Sequence, residues 1–157
     1  MAFKLFNHNN NKYVYLSELG THYDLSFSSH MVLADKIIAL DGVKRKLIVA
    51  GFMETPGFAE VIDLNKIKTI SLKKTYEGID AGELQSKAVD EFITSIHLEF
   101  EHRHCGTVNS LVFYRNNLHI IHDLAKHERN AKSWQIILSK LINNGKENTG
   151  GLLPDQN

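Results

Sequence analysis

An α+β fold is predicted for this chain: a bent antiparallel sheet or partly open β-barrel, capped by one C-terminal α-helix. Two observations carry the prediction. Short segments with an apolar residue at every second position recur from about residue 22 to residue 114, which is the period of half-buried strands. One later stretch, residues 123–142, instead repeats its apolar residues every three or four positions, which is the period of a helix with one buried face.

The bulk properties suit that class and exclude others. The 157 residues suffice for one real core. A hydrophobic fraction of 43% with 23% charged residues is globular usage, not that of a disordered or fibrous chain. Lys plus Arg is 18 and Asp plus Glu is 18, so no net positive field draws the chain to nucleic acid. Cys105 is the only cysteine, which rules out an intrachain disulfide and suits a reducing cytoplasm. The N-terminal residues carry no apolar run of signal-peptide length, and nowhere do about 18 apolar residues run together. A soluble cytoplasmic protein without a transmembrane segment is expected.

The elements follow in order. Residues 3–6 and 12–16 are aromatic-rich segments around the run Asn7 to Asn11, and predict a hairpin. Residues 22–28 alternate with Tyr23, Leu25 and Phe27 on one face, a further strand. The strongest strand signal lies between Val32 and Phe52, where KIIAL and KLIVAGF flank the turn dipeptide Asp41-Gly42, with Val43 and Lys44 in the loop. A turn centred on Pro56 precedes VIDL and then IKTISLKK, whose Ile70 and Leu72 share a face. Residues 77–91 form a loop with Gly78 and Gly82 and one helical turn. Ile96, Leu98 and Phe100 line the next strand, HRHCGT is a turn, and Leu111 and Phe113 begin the partner strand with Val112 and Tyr114 facing the other way. The closing helix is expected from Asp123, a suitable N-cap, to Ile142, with Leu124, Ala131, Trp134, Leu138, Leu141 and Ile142 on its buried stripe and Gly145 ending it. The tail from 143 to 157 is expected to be disordered.

Taken together, the blocks IIALDGVKRKLIVAG, VIDLNKIKTISLKK, SIHLEF with SLVFY, and NAKSWQIILSKLI resemble a bacterial pleckstrin-homology-like domain, and a family of uncharacterised bacterial proteins that combines them. The resemblance covers roughly residues 35–142. It implies a strongly bent antiparallel sheet forming a partly open barrel, with a C-terminal helix carrying a buried tryptophan at one end. Residues 1–34 are then extra strands attached to the same domain. Such folds bind lipids, peptides and proteins alike, so the fold does not choose among them.

Three sets of residues are candidates for chemistry. Lys44, Arg45 and Lys46 stand at the Asp41-Gly42 turn; the resemblance implies anion binding there, because basic residues of the first hairpin hold phosphorylated headgroups in related eukaryotic domains. The plainer interpretation is a solvated edge in which lysines discourage aggregation, as for Lys73 and Lys74. His97, Glu99, His102 and His104, beside Glu101 and Cys105, form a loose candidate metal or enzyme site, for imidazole and carboxylate ligate zinc. Paired Cys-x-x-Cys, HExxH, phosphate loops and a GxSxG elbow are all absent, and His119, His122 and His127 have no ligand spacing. Tyr13, Tyr15 and Tyr23 either cover one end of the sheet or form an aromatic surface for a partner. The expectation is a non-catalytic binding module without a cofactor, recognising a protein or peptide through a sheet edge or groove, with self-association by the same route. The alternatives are the metal or enzyme site and a peripheral binder of anionic lipid.

Overall fold

The computed structural model describes residues 12–51, 58–117 and 123–147. It falls into two compact units divided after Asn65. Two antiparallel sheets, of four and three strands and neither closed on itself, together with a C-terminal helix give the α+β class.

The first unit opens with a helix, α1 (Lys12–Tyr23), where the sequence suggested strands. The alternation of Tyr13, Val14 and Tyr15 misleads because Tyr15, Leu16, Leu19 and Tyr23 also recur at helical spacing, and tertiary packing favours the helix. Tyr15, Leu16 and Leu19 are buried, while Tyr13 and Val14 stay exposed. Residues 22–28 are likewise not a strand: 22 and 23 close the helix and 24–28 are irregular. Four strands follow: β1 (Ser29–Val32), β2 (Lys36–Asp41), β3 (Lys46–Gly51) and β4 (Ala59–Asp63), adjacent in chain order.

Strand alternation sorts the apolar run into two faces. Ile37, Ala39, Ile48 and Ala50 form one cluster with Tyr15, Leu16 and Leu19 of α1, the alanines leaving room for the helix. Their register partners are Ile37 with Ala50 and Ala39 with Ile48. The opposite face carries Ile38, Leu40, Leu47 and Val49, which are buried too. Lys46 closes the hairpin by pairing with Asp63 of β4 at 2.7 Å. Burial raises the Asp63 carboxyl, but the Lys46 ammonium and the amides of Asn65 outweigh it and hold it below its ordinary value.

The loop between β2 and β3 is the four residues 42–45, with Asp41 paired to Lys46. Its positive φ, 55°, falls on Arg45 and not on Gly42. The turn is held by the side chain of Asp41, whose Oδ1 accepts the amides of Val43 and Lys44 at 3.0 and 2.8 Å.

The second unit contains β5 (Ile67–Tyr76), β6 (Ile93–His102), β7 (Val108–Arg115) and α2 (Leu124–Glu147). The 77–91 segment includes a short 3-10 turn at Glu83–Gln85 and meets a second at Val89–Phe92. Ile96, Leu98 and Phe100 are fully buried, as the alternation requires. Helix α2 lies against all three strands, burying Leu124, Ala131, Trp134, Leu138 and Ile142. It is tied down by Gln135 Nε2 donating to the Ile70 carbonyl at 3.2 Å and by Glu128 bridging Lys74 at 2.7 Å and Lys132 at 2.9 Å.

Two expectations are corrected here. A bulge lets Ile96 face Tyr114 while His97 faces Val112, so Tyr114 turns onto the same face as Ile96 and is buried. Helix α2 also continues through Gly145 to Glu147, so residues 143–147 are helical. The strand expected at 3–6, the Pro56 turn, His119, His122 and the tail from 148 lie outside the described residues. No described helix is long and apolar enough to cross a membrane.

Candidate functional site

The chain reversal after α1 builds a concavity in the first unit. Helix α1 ends in a Schellman closure: Asp24 takes the left-handed conformation with φ 54°, Leu25 N–H donates to the Gly20 carbonyl at 2.8 Å, and Asp24 N–H reaches the Thr21 carbonyl at 3.4 Å. Glycine is required at position 20 for this closure, since a Cβ there would stand 2.8 Å from the Leu25 carbonyl oxygen. Ser26 is then held by Asp41 and Ser28 by the Leu40 carbonyl, so residues 24–30 return alongside α1 to meet Tyr13, whose ring stands edge-on to the imidazole of His30 at 5.7 Å.

Between α1 and this returning segment lies a groove of about 600 Å³, within the size of ordinary ligand clefts. Leu16, Gly20 and Phe27 give it apolar lining, Tyr13 and His30 mark one end, and Asp24 the other. Strand β1 adjoins it as the outer strand of its sheet. The bond from Leu33 N–H to the Lys36 carbonyl sets the alternation, which turns the N–H and C=O groups of His30 and Val32 away from β2.

The expected basic cluster is not a convergent cradle. Lys44 Nζ bonds the Asp24 carbonyl and carboxylate, the latter at 2.7 Å, and Lys46 faces Asp63. Arg45 is half-buried and sends its backbone carbonyl to Leu64 N–H. Two of the three cations therefore already face a carboxylate.

The expected histidine cluster is split by strand geometry. His97 and Glu99 share the face opposite Ile96, with His97 Nε2 3.4 Å from Glu99 Oε1 and Nδ1 3.4 Å from Ser95 Oγ. His102 has the same parity as Phe100, and its Nε2 is 2.7 Å from Asn109 Oδ1 on β7. His104 stands in the exposed turn. Among the described residues no three His, Cys, Asp or Glu side chains are grouped to hold a metal ion. Cys105 is exposed, and the Thr107 hydroxyl at 2.9 Å lowers its thiol pKa. His127 lies on α2, its ring 5.9 Å from that of Tyr114.

Sequence reasoning named Tyr13, with Tyr15 and Tyr23, as either a cover for one end of the sheet or a partner surface, but missed Leu16, Gly20, Asp24, Phe27 and His30 as groove residues. The available signal was Gly20 followed by Asp24, a helix-ending pattern hidden by the strand assignment. Tyr15, by contrast, is core; burial first, then Tyr23 and Glu18, raises its phenol pKa. A second pocket, about 390 Å³, lies in the other unit between Glu77, Glu83, Glu91 and Phe92, with the Lys87 ammonium 5.7 Å from the Phe92 ring centre. Compared with known proteins, the chain matches no family model, no curated protein and no solved structure.

Proposed function

We propose that this chain is a non-catalytic binding module of pleckstrin-homology-like character, acting in the cytoplasm, which recognises an extended peptide segment of a protein. The observation that carries this reading is the outer edge of β1 beside the groove under α1. An added strand gains main-chain hydrogen bonds from His30 and Val32, while alternate side chains enter the groove. The order of four strands, three strands and a closing helix with buried Trp134 agrees with the resemblance drawn from the sequence. The anion and metal readings have less support, because Lys44 and Lys46 already face carboxylates and His102 lies across the sheet from His97.

The test is to pan a random dodecapeptide phage library on the immobilised full chain and titrate the enriched peptides by fluorescence anisotropy. His30→Pro removes an outward amide at an edge position where proline is tolerated, and is expected to weaken binding about tenfold, as loss of one hydrogen bond does. Tyr13→Ala should weaken it as well. Failure to enrich any peptide, or affinities indifferent to both substitutions, overturns the reading.

A further inference from the structure

We infer that the peptide taken by this groove is amphipathic in a defined sense: an apolar side chain at the Tyr13 end and an arginine or lysine at the Asp24 end. This rests on the peptide-binding reading above and adds the chemistry and polarity of the partner.

The argument is one of charge and length. Among the described residues that line the groove, Asp24 supplies the one carboxylate and none is a lysine or arginine. The remaining lining is apolar, aromatic or hydroxylic, so a cation has one place to settle. That carboxylate is almost fully exposed, with 97% of its side chain accessible. Its pairing with Lys44 does not close the position. An exposed ion pair contributes little and is readily exchanged for another cation, and Lys44 Nζ also bonds the Asp24 main-chain carbonyl, so it has a second acceptor. A guanidinium can meet both carboxylate oxygens at once, which favours arginine over lysine.

The spacing follows from the helix that forms one wall. Tyr13 and Thr21 are eight residues apart on α1, about 12 Å along its axis. An extended strand covers that distance in about four residues, and residues four apart project to the same side. The apolar and basic side chains are therefore separated by three residues. In the antiparallel orientation, which the returning segment 24–30 presents from Asp24 toward His30, the apolar residue comes first and the basic residue follows.

The dodecapeptides enriched on the full chain provide the test, with each peptide resynthesised in a version whose basic residue is replaced by glutamine. The expected result is an apolar residue followed four positions later by Arg or Lys, affinity lowered about fivefold by the glutamine replacement or by Asp24→Asn, and affinity raised by Lys44→Ala. Asparagine tolerates the left-handed conformation, so Asp24→Asn keeps the helix end. Peptides that bind with dependence on Tyr13 but show no basic residue, or ignore Asp24→Asn, overturn this inference and leave the binding reading intact. Selection of acidic peptides that need Lys44 overturns it in favour of the basic loop. If no peptide binds at all, both fall.

Discussion

The carboxylate of Asp41 binds the amide of Ser26, fifteen residues earlier, at 2.9 Å with its Oδ2, while its Oδ1 holds the turn that follows. One buried side chain thus anchors both the β2–β3 loop and the segment that walls the groove. Burial raises its pKa, but the amides of Lys44, Ser26 and Val43 together outweigh this and hold the carboxyl below its ordinary value of 3.8.

Replacement of Asp41 by alanine leaves three amides without their acceptor. A loss of about 2–3 kcal/mol in urea denaturation is expected, in the range of a buried hydrogen-bond network. Because the folded pKa is depressed, the stabilising contribution is complete above the unfolded carboxylate's value and disappears as pH falls through the folded one. Wild-type and Asp41→Asn stabilities should therefore converge on acidification below pH 3.8. Parallel stability curves there would remove Asp41 as the cause.

Gly20→Ala should destabilise the protein although alanine is the better helix former. The helix preference is worth about 1 kcal/mol, and the added methyl meets main-chain oxygen at 2.8 Å, where relief requires moving the Leu25 backbone. A lower thermal midpoint is expected, together with weaker peptide binding, since the groove wall must shift. A rise in midpoint would show that the closure relaxes freely.

Trp134→Ala is expected to cost about 3–5 kcal/mol, the usual range for removing a buried indole. As Trp134 is the only tryptophan, wild-type emission should be blue-shifted when folded and move to the red on unfolding. Emission already at the solvent-exposed wavelength in the native protein would contradict its burial.

The Lys74–Glu128 pair joins β5 to α2. Hydrogen bonds from Lys74 and then Lys132 lower the Glu128 pKa below its ordinary 4.5, against a smaller opposing effect of burial. Its contribution is present above the unfolded value and lost as pH falls through the folded one. Glu128→Gln should cost about 1 kcal/mol at neutral pH and nothing near pH 2, measured by chemical denaturation at both values.

Strand content was legible wherever one face is buried and the period is simple: Ile70 to Leu72 and Ile96 to Phe100 were read correctly because polar residues separate their apolar ones. Residues 12–16 and 22–23 read as strand because Tyr and Val favour strands locally, whereas the helix is selected by contact with Ile37, Ala39, Ile48 and Ala50, which come later in the chain. The face of Tyr114 could not be inferred, since a bulge inserts one residue without any glycine or proline to mark it. The groove was invisible for the same reason as α1: its residues are neighbours only after Asp24 reverses the chain. The candidate ligands of β6 were visible as residue types, but their convergence depended on parity, which puts His102 across from His97.

The β2–β3 hairpin is apolar on both faces, so its own pattern does not tell a correct pairing from one slipped by a single residue: Ile37 to Leu40 would meet Leu47 to Ala50 about as well one step out of place. Choosing among these near-degenerate alignments falls to the alanines that make room for α1 and to the polar groups at the hairpin's end, Asp41 holding the loop amides and Lys46 against Asp63. Evolutionary or engineered change at those polar positions would thus disturb the protein as a folding error, with misaligned hairpins, before it showed as a loss of core packing.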